Sequence, residues 1–139
     1  MYILDTDHMT LLERGGPPAA ILVSRLRGVP RLEIATTIVT YEEQTRGWLA
    51  KTARDKGSAL VRGYGYLRQH IDIYARMNVL PYDDYADNLF TALQKRKLRL
   101  GTQDIKIAAI TMANGGILLT RNLADFRKVP ELISQDWSA

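Results

Sequence analysis

Residues 102–120 read TQDIKIAAITMANGGILLT. Thr102 stands as an N-cap before Ile105, Ala108, Ala109 and Met112, which recur at helical spacing, so 102–113 predicts a helix with one buried face. Gly115-Gly116 ends that helix. Ile117-Leu118-Leu119-Thr120 is then a short apolar run bounded by turn residues, which reads as a buried strand. A helix that hands over to a strand through two glycines is a unit of α/β architecture.

The same alternation extends outward on both sides. Tyr2-Ile3-Leu4 is an apolar run that stops at Asp5, a strand followed by a turn. Asp7 is placed to cap a short helix through Leu11 and Leu12, and Gly15-Gly16-Pro17-Pro18 breaks the chain. Ile21, Leu22 and Leu26 predict a helix over 19–27, stopped by Gly28 and Pro30. A second strand is expected over 32–36 and a long helix over 38–51. Another helix is expected over 55–74, with Leu60, Tyr64, Leu67 and Ile71 on one face. Asn78 to Pro81 reads as a short strand, and 83–97 as a helix with Ala86, Phe90 and Leu93 inward. A turn surrounds Asn122, and 132–137 supplies a last strand. The expected fold is α/β, a single domain over 1–139 with a mostly parallel central sheet. Ligands in such sheets bind beyond the carboxyl ends of the strands.

Composition narrows the chemistry. The chain has 139 residues, enough for one core, with 46% hydrophobic and 24% charged residues, as in ordinary globular proteins. No apolar run is long enough for a membrane span, and the chain opens directly on a strand without a basic-then-apolar leader; the expectation is a cytoplasmic protein with no membrane association. The absence of cysteine excludes disulfides, thiolate catalysis and Cys-based metal sites. With only two histidines, His8 and His70, a multi-histidine zinc site is not expected, and both read as surface or packing residues. Any metal would be held by oxygen, which points to Mg²⁺ or Mn²⁺. The net charge of +4 suits a polyanionic partner such as nucleic acid.

Four acids fall where a parallel sheet gathers its functional rim. Asp5 ends the first strand, Glu43 lies early in the helix after the second, Asp104 in the first turn of the helix after Thr102, and Asp125 just past the strand ending at Thr120. Crowded carboxylates repel one another, so either their pKa values rise or a cation sits among them. A divalent ion in that place favours ionisation of water and stabilises an in-line phosphoryl displacement. Each acid also has an ordinary structural reading. Asp5 and Asp125 suit turns, Asp104 suits a helix N-terminus, and Thr40-Tyr41-Glu42-Glu43 fits a capping box.

The blocks that carry these acids resemble a known family. Met1-Tyr2-Ile3-Leu4-Asp5-Thr6-Asp7 looks like the opening of the PIN-domain VapC ribonuclease toxins, and Thr37 to Gly47 looks like their second motif, whose glutamate four residues before a glycine selects Glu43 over Glu42. Gly101-Thr102-Gln103-Asp104-Ile105-Lys106-Ile107-Ala108-Ala109 resembles the third. Leu119 to Phe126, with Val129-Pro130 and a late Trp137, resembles the last. The resemblance covers nearly the whole chain in order. It implies a PIN-like α/β/α sandwich and a Mg²⁺-dependent endoribonuclease, with Mn²⁺ as the alternative ion. It further implies that the chain is the toxin of a type II toxin–antitoxin pair, neutralised by a VapB-type antitoxin over the active site, and that it forms a homodimer. By motif position Asp5, Asp104 and Glu43 are the metal ligands and Asp125 a fourth, more distant catalytic acid. Thr6, Thr120, Lys106, Arg121 and Asn122 are candidate RNA contacts. Asp7 and Asn122 stand where many members carry asparagine and some carry aspartate, respectively.

Among basic residues, Lys95-Arg96-Lys97-Leu98-Arg99 is the densest run, either a solvated helix end or a landing strip for phosphates. The tyrosines at 64, 66, 74, 82 and 85 suit helix packing or base stacking. Two rivals remain. One is a haloacid-dehalogenase-like phosphatase, in which Asp5-Thr6-Asp7 supplies the nucleophile and Asp83-Asp84 a second acidic pair. The other is a non-catalytic PIN module that binds RNA.

Overall fold

The computed structural model describes all 139 residues. Five strands, β1 (Tyr2–Leu4), β2 (Ile34–Thr37), β3 (Asn78–Leu80), β4 (Ile117–Leu119) and β5 (Ile133–Gln135), form one sheet in the order β3-β2-β1-β4-β5. Every neighbouring pair is parallel, so the sheet is wholly rather than mostly parallel. Seven helices connect the strands: α1 (Thr6–Arg14), α2 (Pro17–Leu26), α3 (Ile38–Arg54), α4 (Gly57–Ala75), α5 (Asp84–Lys95), α6 (Thr102–Ala113) and the single turn α7 (Leu123–Phe126). None is long and apolar enough to cross a membrane.

Alternation along the short central strands divides the interior into two cores. Ile3 and Leu118 face one core with Ile107, Ala108, Leu93 and Phe126. Their neighbours Leu4 and Leu119 face the other, with Met9, Leu11, Leu22 and Tyr74. The result is an α/β/α sandwich with both faces of the sheet covered, as purely parallel sheets require. The chain lays down β1, β2 and β3 in one direction and then returns to place β4 on the other side of β1. The rim between β1 and β4 is therefore a topological switch point, where loops diverge and leave a cleft.

Local chemistry moves several boundaries from their expected positions. Asp5, not Asp7, caps α1, its side chain accepting the His8 N–H. Thr37 caps α3, and a short 3₁₀ turn over Arg31–Glu33 replaces the start of the second strand. Gly101 precedes α6 without a side-chain cap, so Thr102 is its first residue rather than its cap. Helix α5 stops at Lys95, because Lys97 and Arg99 take left-handed backbone angles (φ 51° and 55°). The buried face of α4 is Gly63, His70 and Tyr74, whereas Tyr64 and Ile71 are exposed. Close approach decides that face: a Cβ on Gly63 would lie 3.1 Å from the Thr52 methyl of α3, and the two buried polar residues beside it are hydrogen-bonded. Helix α6 is buried almost all round, at Ile105, Ile107, Ala108, Ala109, Ile110 and Thr111, because it lies between the sheet and α5.

The glycines give opposite expectations for one substitution. A Cβ on Gly116 would fall 2.6 Å from the Cδ1 of fully buried Ile3 and 3.3 Å from the Met1 carbonyl, whereas one on Gly65, mid-α4, meets nothing within 4 Å. Gly116→Ala should destabilise the fold by about 1–3 kcal/mol. Gly65→Ala should stabilise it by about 0.5–1 kcal/mol. Urea unfolding of the two variants checks both signs.

Candidate active site

The switch-point rim holds a cleft of about 330 Å³ lined by Asp5, Thr6, Asp7, Glu43, Asp104, Ile107, Asn122 and Phe126. Asp5 enters it because β1 ends one residue earlier and α1 begins one residue later. It is 5% exposed, and its Oδ1 accepts the His8 N–H at 2.8 Å, so α1's N-terminus holds the carboxylate as a cap.

Glu43 lies in the second turn of α3, and the capping box expected of it does not form. Thr37 Oγ1 instead accepts the Thr40 N–H at 3.0 Å. The Glu43 carboxylate is free to reach α1, where Thr6 Oγ1 donates to its Oε1 at 2.7 Å. Its neighbour Glu42 faces away and is taken by Arg46 at 2.6 Å and the Gln103 amide at 3.0 Å. Asp104 comes from the first turn of α6. Burial pushes its carboxyl up to about 6, and the charges of Glu43, Asp5 and Asp125 add to the rise. The helix N-terminus acts in the opposite direction, and burial together with the neighbouring charges outweighs it.

The fourth acid is differently placed. Asp125, on α7, lies outside the cleft lining and accepts hydrogen bonds from the Asn122 amide at 2.8 Å and Lys128 Nζ at 3.0 Å. Those partners hold its carboxyl below the usual range, and it reaches Asp104 through charge rather than contact. Thr120 is fully buried, its Oγ1 accepting the Asn122 N–H at 3.0 Å, which shapes the turn that brings Asn122 to the cleft. Arg121 stands at the mouth, its Nε 3.9 Å from the Asp7 carboxylate. Lys106 occupies another face of α6, over the Phe90 ring, in a small separate cavity with Glu42 and Tyr82. In the basic run, Arg96 pairs with Glu131 at 2.9 Å, away from the cleft. The second acidic pair of the phosphatase reading is not here either: Asp83 caps α5, and neither it nor Asp84 lines the cleft.

Two features of the site carry no signal in the sequence pattern. Thr6 and Glu43 also line a larger groove of about 590 Å³, shared by α1, α3 and α4, with Thr10, Glu13, Arg14, Gln44, Trp48, Lys51, Arg54 and Tyr66. Behind it, a hydrogen-bonded network locks the three helices: Tyr74 donates to the Gln44 carbonyl, the Gln44 amide to Thr10 Oγ1, and Thr10 Oγ1 to the Thr6 carbonyl. His70 joins the same layer between Thr45 Oγ1 (2.9 Å) and Glu13 (3.3 Å). The second feature is His8, fully buried directly behind Asp5. Both histidines are thus interior residues, where the sequence left surface or packing open.

The donors facing the cleft are all oxygens, and the half-buried Asp104 has its ionisation suppressed by burial and then by other carboxylates, a situation that a hard divalent cation relieves. As they stand, no three acidic or histidine side chains close into a metal-holding group. Glu43 is held toward α1 by the Thr6 hydroxyl at 2.7 Å.

No protein-family model matches the chain. It is 25% identical to Ribonuclease VapC1 of Haemophilus influenzae over 99% of its own length and 98% of that protein. It is 29% identical to Ribonuclease VapC2 of Rickettsia felis over 48% of its length and 54% of that protein. Among solved structures, VapBC-1 from nontypeable Haemophilus influenzae superposes with a TM-score of 0.80 at 20% identity, covering 99% and 98% of the two chains. VapBC2 from Rickettsia felis, solved bound to a DNA fragment from their promoter, superposes at 0.72 and 20% identity over 98% of each chain. In fold the chain is a PIN-like α/β/α sandwich similar to these VapBC structures, and in sequence it is similar along its length to a Ribonuclease VapC.

The raised carboxyl of Asp104 has a stability consequence whose sign is definite. Its ionisation opposes folding by an amount that grows from the unfolded value near 3.8 up to about pH 6, is full above that, and is absent below 3.8. Without divalent ions, Asp104→Asn should therefore raise stability at pH 7, by about 1 kcal/mol after solvent screening. The gain should vanish at pH 3.5. Urea unfolding in EDTA at the two pH values measures it.

Proposed function

We propose that this VapC-type chain is an endoribonuclease that hydrolyses RNA phosphodiester bonds with a divalent cation, Mg²⁺ or Mn²⁺, and that it is the toxin of a toxin–antitoxin pair. The observation that carries the reading is the meeting of Asp5, Glu43 and Asp104 in one cleft at the switch point, in a chain alike over its full length to a protein named Ribonuclease VapC1.

Asp5, Asp104 and Glu43 would hold the ion, Asp5 through the oxygen not taken by α1. Once bound, a divalent cation supplies positive charge against the developing charge on the phosphate and favours ionisation of water. The chain's own groups do the rest. Thr6 keeps the Glu43 carboxylate aimed across the cleft. Asn122 and Arg121 at the mouth are the nearest donors for the scissile phosphate and its neighbours. Hydrolysis by water leaves a 3′-hydroxyl on one product and a 5′-phosphate on the other.

The partner reading rests on the groove beside the cleft. Its walls mix the stacked pair Trp48–Tyr66 (5.1 Å) with Arg14, Lys51 and Arg54, and it opens directly onto Glu43. A VapB-type antitoxin would lay an apolar helix there and extend a basic side chain to the acids, covering the cleft. A homodimer is proposed as well, expected at about twice 15.7 kDa by light scattering.

Purified, antitoxin-free protein should cleave RNA with Mg²⁺ and not in EDTA, and Asp5→Asn should lower the rate at least ~100-fold. Product ends should be 3′-hydroxyl; a 2′,3′-cyclic phosphate overturns the hydrolytic reading. In the complex, Trp48→Ala should cost about 2 kcal/mol, near 30-fold in Kd, measured by calorimetry with the antitoxin.

A further inference from the structure

His8 is fully buried, and its Nδ1 is the one buried side-chain polar atom in the molecule without a hydrogen-bond partner. Buried polar atoms are rarely left unpaired, because each forfeits its hydration. The orphan is not randomly placed. Nδ1 lies 3.5 Å from Oδ1 of Asp5, the oxygen that already accepts the His8 backbone N–H at 2.8 Å. The other ring nitrogen is occupied. Nε2 accepts the backbone N–H of Trp137 at 3.3 Å, which requires a lone pair there. Asp136 Oδ1 lies 3.7 Å from Nε2, too far for a hydrogen bond, and is filled by Ser138 N (2.8 Å) and Oγ (2.6 Å). The ring proton therefore belongs on Nδ1 and points at Asp5.

We propose that His8 is a positioning residue for the cation site, in which Nδ1–H holds Asp5 Oδ1 inward so that Oδ2 faces the cleft, while Nε2 anchors the pair to the C-terminal tail at Trp137. A movement of roughly half an ångström brings Nδ1 to hydrogen-bond distance of Oδ1. No hydrogen bond in the structure engages Oδ2, the oxygen left for an ion. Fixing a ligating carboxylate from behind in this way sets its orientation and its basicity. The arrangement also joins the last residues of the chain to the first catalytic acid, since the Trp137 ring packs at a tilt against Tyr2 (4.5 Å between centroids) at the start of β1. This inference rests on the cation-site reading of Asp5 given above.

The two ring nitrogens are separable by substitution. Asparagine at position 8 keeps an amide donor near the place of Nδ1; glutamine reaches toward the place of Nε2; leucine keeps only bulk. Long-range ¹H–¹⁵N spectra of the wild-type imidazole should show the Nδ1–H tautomer, and an Nε2–H tautomer overturns the proposal without any variant. By calorimetry with Mn²⁺ alone, His8→Leu and His8→Gln should bind about 10–100-fold more weakly than wild type, and His8→Asn should stay close to it. In RNA cleavage the same two variants should lose kcat with KM for RNA unchanged. Mn²⁺ affinity unaltered in His8→Leu, or Asn and Gln variants that behave alike, overturns the positioning role. A wild type that binds Mn²⁺ in a His8-dependent way yet cleaves no RNA supports the inference and overturns the ribonuclease. Cleavage that survives with unaltered Mn²⁺ affinity in His8→Leu does the reverse.

Discussion

Repulsion among carboxylates is the constraint around which the rest of this molecule is arranged. Asp5, Glu43 and Asp104 are brought to one rim, where burial first and the charges of its neighbours second raise Asp104 to about 6. Each acid is held by something that offsets part of the cost. Asp5 caps a helix, Asp104 sits in the first turn of another, Glu43 accepts the Thr6 hydroxyl, and Asp125 is tied to Asn122 and Lys128 at a distance. As they stand these groups do not close into a metal-holding cluster; the proposed cation would supply the counter-charge that draws them together.

The scaffold makes that gathering possible by burying nearly everything else. The sheet is only three or four residues deep, and alternation sends Ile3 and Leu118 into one core and Leu4 and Leu119 into the other. Helix α6 is buried on most of its circumference and carries Asp104 rigidly to the cleft. The network of Tyr74, Gln44 and Thr10 does the corresponding service for Thr6, and through it for Glu43. The side chains of the cleft are thus set on elements that cannot drift without breaking a core or a buried hydrogen bond.

The flanking groove and the cleft share Thr6 and Glu43, so whatever fills the groove meets an acid of the cleft. A bound partner that contributes a cation there would meet the same electrostatic need that a metal meets. That common need gives a physical basis for inhibition by occupation rather than by a distant change of shape.

The sequence by itself determined the order of elements, the α/β class and the identity of the acids, because helical and strand periodicities and the breaks between them are local properties. TQDIKIAAITMANGGILLT reads correctly as helix, turn and strand, and Asp5 is visible as the residue that ends a strand. Glu43 was separable from Glu42 only through the resemblance of its motif, and the geometry then separates them by partner: Thr6 for one, Arg46 and Gln103 for the other. Only the tertiary structure decided what depends on contacts across the chain. Apolar periodicity along α4 aligns Leu60, Tyr64, Leu67 and Ile71, whereas the helix buries Gly63, His70 and Tyr74, where a glycine permits close approach and polar groups find partners on α1 and α3. His8 looked like a residue of no consequence, since nothing local says that Trp137, 129 positions later, will cover it and leave its proton facing Asp5. Periodicity reports which side chains avoid water; it does not report which buried polar atoms will meet, and in this protein those meetings build the site.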